Sequence, residues 1–192
     1  MHGTNYLWTR AMHKYRIHSE DNHDYKPRED TLADLEKESI NNYRARALLA
    51  SAYNQGWSQI FRSYLNIPKS LYYSKLDGCD TNNGYSYASY LHTLFHNYPD
   101  DKEYLKVAYA MLLFTKFNAY SFYKYSNFDA LEQNITPRMD RKDIEYVISN
   151  YQDIIAKECE GILSDHDQVP TEEKLMKYAF PLKSDNNGTI GK

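Results

Sequence analysis

His92 and His96 are the first residues in this chain whose type and spacing suggest chemistry. Residues four apart share one face of a helix, so His92-Thr93-Leu94-Phe95-His96 sets two imidazoles side by side, the geometry a metal ion can bridge. No Glu stands between them as in a zinc-protease motif, and the sequence names no third ligand. The competing reading is a pair of helix-end histidines beside a core. His13, His18 and His23 recur every five residues, a period that fits neither helix nor strand, and Glu20-Asp21-Asn22-His23 supplies one Glu-x-x-His where a di-iron bundle needs two. Arg44, Arg46 and Arg62 carry groups that pair with phosphate, yet Glu36 and Glu38 accompany them, and a solvated face is expected there. No Ser-His-Asp, Cys-His, Gly-rich phosphate loop or zinc pattern can be assembled, so the sequence assigns no catalytic residue and no cofactor.

The second chemical signal is compositional. Twenty of the 192 residues are Tyr, so much of the apolar surface carries a hydroxyl that needs a partner or water. Tyr is favoured at the centres of protein interfaces. Tyr72, Tyr73, Tyr85, Tyr87 and Tyr90 flank one polar loop and form the candidate binding surface for a protein partner. The net charge of -3, from 23 basic and 26 acidic residues, gives no footprint for duplex DNA or an anionic membrane, although Arg10, Lys14, Arg16, Lys26 and Arg28 make the first 28 residues net positive.

Those residues need elements to position them, and the pattern is helical throughout. Residues 1–30 are a polar arm. Thr31-Leu32-Ala33-Asp34 reads as a helix start, and a helical pattern then runs through Leu35, Tyr43, Leu48, Trp57 and Tyr64, interrupted at Asn54-Gln55-Gly56 and stopped by Ile67-Pro68. Residues 69–76 form a short helix, and Asp77 to Gly84 is so dense in turn formers that a surface loop is expected. A helix over 85–98 ends at Pro99. Tyr104 to Tyr125 is apolar nearly all round, including Met111, Phe117 and Phe122, and marks a buried central helix. A polar loop with one proline leads to an amphipathic helix that starts at Asp140, with the stripe Ile144, Val147, Ile148, Tyr151, Ile155 and Ile162. Residues 164–192 read as a polar, partly disordered tail in which Tyr178-Ala179-Phe180-Pro181-Leu182 is able to dock. The fold class is all-α: one helical bundle of five to six helices over 31–163. Cys79 and Cys159 make neither a metal spacing nor a disulfide framework, which points to a reducing compartment, and no apolar run is long enough to span a bilayer. A soluble, cytoplasmic protein is expected.

From about Asn41 to Leu163 the order of elements resembles the HEPN family (higher-eukaryote and prokaryote nucleotide-binding domain). The residues that carry the resemblance are the aromatic helix Tyr43 to Leu65, the loop into Gly84-Tyr85-Ser86-Tyr87-Ala88-Ser89-Tyr90-Leu91, the helix ending Phe117-Asn118-Ala119-Tyr120-Ser121-Phe122-Tyr123, and Asp140-Arg141-Lys142-Asp143-Ile144-Glu145-Tyr146. The resemblance implies a helical bundle of the kind that often acts in bacterial RNA-targeting defence and toxin systems. Nucleolytic members carry an Arg and, a few residues later, a His near the start of the third helix; here that region reads Tyr85-Ser86-Tyr87. The implied state is a domain without that nuclease chemistry. The expected function is therefore a non-catalytic binding protein in an immunity, antitoxin or phage-type inhibitor role, acting through its Tyr-rich surface. The alternative is an RNA-directed or metal-dependent enzyme that uses His92 and His96. A protein partner is expected, with homodimerisation left open, nucleic-acid binding not favoured and no membrane partner.

Overall fold

The computed structural model describes residues 29–53, 66–118, 126–164 and 169–179. Nearly all of the N-terminal arm, with His13, His18 and His23, lies outside them, as do Arg62 and residues 180–192. Eight α-helices and one short 3₁₀ turn make up the described chain, and no strand occurs among the described residues: α1 Glu29–Ser39, α2 Tyr43–Ala52, α3 Ile67–Thr81, α4 Tyr85–Asn97, α5 Glu103–Asn118, α6 Ser126–Ile135, the 3₁₀ turn Thr136–Arg138, α7 Arg141–Glu158 and α8 Glu172–Ala179. The protein is all-α. Among the described residues no helix is long and apolar enough to cross a membrane.

Two helices form the centre, and each is buried for a sequence reason. On α5, Leu105, Ala108, Ala110, Met111 and Leu112 leave almost no polar face, so the helix sits between α4 and α7. On α3 every residue from Ser70 to Cys79 is buried, and the helix packs against α2, α4 and α8. Asn66 starts it: the side chain accepts from Lys69 N at 3.0 Å, and Pro68 fills the first turn, where its missing N–H costs nothing.

The expected surface loop at Asp77 to Gly84 is corrected by this helix, which continues through Thr81 and closes on Asn82 in the left-handed region at φ 58°. Tertiary packing overrides the turn propensity. Gly78 has no Cβ, and one built there would lie 3.2 Å from Gly84 Cα, so the two glycines let the ends of α3 and α4 approach. Gly84 in turn faces α5. A Cβ there would sit 2.6 Å from Met111 Sδ and 3.0 Å from Met111 Cβ, while Gly84 N–H donates to Thr115 Oγ1 at 2.8 Å. Gly84→Ala is expected to cost about 1–3 kcal/mol through overpacking, read as a lower urea midpoint at unchanged slope. A midpoint equal to wild type would mean that Met111 moves aside freely.

Four further expectations change. The polar loop with one proline contains α6, because Phe128, Leu131 and Ile135 at helical spacing bury one stripe. The α7 stripe is narrower than its sequence pattern: Val147 and Ile155 are buried, Ile148 is 52 % exposed, and Ile162 is buried beyond the helix end. Phe117, assigned to the buried face of α5, is 65 % exposed and meets the ring of half-buried Tyr151 at 5.8 Å. The tail supplies α8, whose Leu175 and Tyr178 are buried on α3.

Cys79 and Cys159 form a disulfide with Cα atoms 5.7 Å apart, which corrects the reading of two separate thiols. Their separation of 80 residues carries no spacing signal; they meet because the C-cap of α7 ends against the last turn of α3. The argument for a reducing compartment loses its basis.

Arg46 shows how the smaller helices are tied in. It is buried, and its guanidinium donates to the Ser39 carbonyl at 2.7 Å and the Ile40 carbonyl at 3.0 Å while pairing with Asp80, so one side chain caps α1 and links it to α3. It does not belong to a solvated phosphate-binding face. Arg44 on the same helix is exposed and lies over the Tyr43 ring.

Candidate functional site

The tyrosine surface inferred from sequence is corrected by burial. Tyr72 is 1 % exposed, Tyr73 and Tyr87 are fully enclosed and Tyr90 is 8 % exposed; only Tyr85 is half open, tilted against Phe128 at 6.1 Å. These residues are core because α3 and α4 pack against each other, so the loop they flank closes their faces together instead of opening them to a partner. Two of their hydroxyls bond inside the fold. Tyr90 Oη donates to the Ala50 carbonyl at 2.9 Å, beside Ser70, and Tyr87 Oη donates to Glu158 at 2.5 Å. Burial, with the Glu158 carboxylate beside it, pushes the Tyr87 phenol well up, which keeps it a donor. Burial alone raises Tyr90.

The histidine pair is where the helix pattern places it, on the last turns of α4, with ring centroids 4.6 Å apart and planes at 78°. His92 is half-buried and His96 exposed. The structure adds a third group that no spacing announced: Arg138 in the 3₁₀ turn brings Nη1 to 3.4 Å from His92 Nε2 and is anchored by donating to the Asn134 carbonyl. Pro137 positions it, because the ring fixes the backbone of the turn that ends α6. A guanidinium only donates, so the Nε2 that faces it is the acceptor, which leaves the proton of neutral His92 on Nδ1. Partial burial lowers the His92 pKa, and the neighbouring His96 and Arg138 lower it further, so the neutral ring is favoured at pH 7.

This arrangement suits an anion better than a cation. A metal ion at the two imidazoles would meet a fixed positive charge, and among the described residues no group of three or more His, Cys, Asp or Glu is arranged to hold a metal. Two imidazoles and a guanidinium on an open surface supply donors to a phosphate-sized ligand. Tyr98, two residues beyond His96 at the end of α4, is 51 % exposed and presents a ring at the same helix end.

Comparison of the chain with protein-family models, with curated proteins and with solved structures returns no match. The argument for function therefore rests on local chemistry.

A second polar cluster lies inside the fold. Lys75 on α3 is 5 % exposed and pairs with Glu158 at 2.7 Å, the same Oε1 that accepts from Tyr87, and its Nζ lies 5.8 Å from the centre of the Tyr87 ring. Glu158 directly precedes Cys159, and Lys75 lies one turn before Cys79. Sequence reading missed this cluster entirely. Its only local signal is the four-residue spacing of Lys75 and Cys79.

Proposed function

We propose that this chain is a helical binding protein whose working face is the His92, His96 and Arg138 cluster, and that its ligand is the phosphodiester backbone of RNA. The observation that supports the reading is the approach of Arg138 to the two imidazoles from a different element. An arginine fork and imidazole donors recognise phosphate oxygens, and an exposed tyrosine at the same helix end offers a stacking surface for an unpaired base. The sequence resemblance to the HEPN family, whose members often act on RNA, points to the same class of ligand. A local cluster on an acidic chain gives modest, salt-sensitive affinity.

The test is fluorescence anisotropy with a labelled single-stranded RNA of mixed sequence. Arg138→Ala is expected to weaken binding by about ten- to a hundredfold, through loss of a charge-assisted contact worth roughly 1.5–3 kcal/mol, and His92→Ala to weaken it less. Chelator is expected to change nothing. Equal affinity for wild type and Arg138→Ala would remove the cluster from the binding face.

A second reading, cleavage of the same ligand, is favoured by one observation. Neutral His92 becomes a base able to take a proton when the ligand draws Arg138 away from its Nε2, and the His96 ring stands beside it. Chelator-resistant loss of full-length RNA that disappears in His92→Ala would establish it over simple binding.

A further inference from the structure

We infer that the Cys79–Cys159 cystine is a site of thiol–disulfide exchange with a thiol or dithiol reductant, attacked at Cys159, with Cys79 leaving as a thiolate beside the Lys75 ammonium. Access separates the two sulfurs. Cys79 is 8 % exposed within the buried run of α3, whereas Cys159 is partly exposed where α7 ends. An attacking sulfur must approach along the extension of the S–S bond, and the open end is the Cys159 end.

Charge separates them in the same sense. The thiolate that leaves sits on α3 one turn beyond Lys75, on the same face of the helix, and a neighbouring ammonium favours the thiolate. Lys75 is held by Glu158, and Glu158 adjoins Cys159, so the cystine and the ion pair tie the same two chain positions together. Two of the acidic groups nearby are engaged. Asp80, next to Cys79, is engaged by Arg46, and Glu158 is engaged by Lys75 and Tyr87.

The step balances. The reductant's thiolate forms a bond to Cys159 Sγ as the bond to Cys79 Sγ breaks, and the electron pair of that bond leaves on Cys79. The reductant's second thiolate then attacks the reductant's own sulfur in the mixed disulfide, Cys159 leaves as a thiolate that takes up a proton, and the reductant departs as a disulfide, having given two electrons to the two cysteines. Cys79 thiolate then competes with Glu158 for Lys75, so reduction loosens the contact that holds the end of α7 to α3.

The experiment uses the full chain under native conditions. Brief exposure to glutathione, acid quench and peptide mass spectrometry are expected to place the glutathione adduct on Cys159, with Cys79 free to alkylate. Dithiothreitol is expected to reduce the bond without denaturant, and Lys75→Met to slow that reduction about tenfold through a poorer leaving group, with Lys75→Arg restoring most of the rate. An adduct on Cys79, a cystine that opens only in denaturant, or folded Lys75→Met reduced at the wild-type rate would each overturn the inference. Adduct location is read in the wild-type protein and does not depend on the variant's folding.

Discussion

Replacing both cysteines, Cys79→Ser with Cys159→Ser, is expected to lower the unfolding free energy by about 4.5 kcal/mol, because the bond closes a loop of 80 residues and removes that much chain entropy from the unfolded state. For a chain of this size the corresponding fall in Tm is roughly 10–15 °C. The loop runs from the end of α3 to the end of α7, so α4, α5, α6 and both histidines with Arg138 lie within it. The consequence for function follows from that placement. The pair His92 and Arg138 spans two elements, and loosening the closure is expected to weaken RNA binding before the helices themselves melt. Denaturant titration of the double variant beside the oxidised wild type measures the first effect; a difference under about 1 kcal/mol would mean that α5 and α7 hold the loop closed without the bond.

Asp77→Asn is expected to stabilise the protein in a pH-dependent way. Asp77 lies on α3 in the buried run, and its Oδ1 finds no hydrogen-bond partner among the described residues. Burial raises its pKa from 3.8 to about 7, against the opposing pull of Arg46. The folded state therefore binds this proton more tightly than the unfolded state. Its favourable contribution is complete below about pH 3.8, declines as pH rises toward 7, and is gone above that. The difference between the two pKa values corresponds to ~4 kcal/mol, so the amide, which never ionises, gives a gain of that order at pH 8 and almost none at pH 4. Urea unfolding of wild type and Asp77→Asn at the two pH values checks the sign. A gain independent of pH, or largest in acid, would refute it.

How far the sequence reaches depends on whether a feature is local. The four-residue spacing of His92 and His96 is a property of one helix, and the pair sits as that spacing requires. Arg138 lies 46 residues from His92, and no pattern in the chain links the two; only the packing of the 3₁₀ turn near α4 does. The cystine and the cluster of Lys75, Tyr87 and Glu158 are hidden for the same reason. The tyrosines illustrate a different obstacle. Tyr is amphipathic, so its place along the chain does not say which side of it meets water; of the five residues chosen as a surface, Tyr87 and Tyr90 carry their hydroxyls to partners on other helices, Tyr72 and Tyr73 are buried, and Tyr85 lays its ring against Phe128.

Turn propensity misled at Asp77 to Thr81, where Gly, Asp and Thr are poor helix residues in isolation. Inside α3 they gain the contact of Gly78 with Gly84, the disulfide at Cys79 and the bond from Thr81 Oγ1 to the Asp77 carbonyl at 2.8 Å. The disulfide alone is worth more than the few tenths to one kcal/mol per residue that propensity assigns.

By itself the sequence determined that this protein is all-α, where α4 and α7 start, that α5 is central, and that two imidazoles share one helical face. These follow from periodicity and capping, which act over a few residues. The tertiary structure decided which tyrosines are enclosed, that the two cysteines meet, and that a guanidinium joins the imidazoles. Such contacts join residues on separate helices, and they depend on how those helices pack, for which no stretch of one helix carries the instructions.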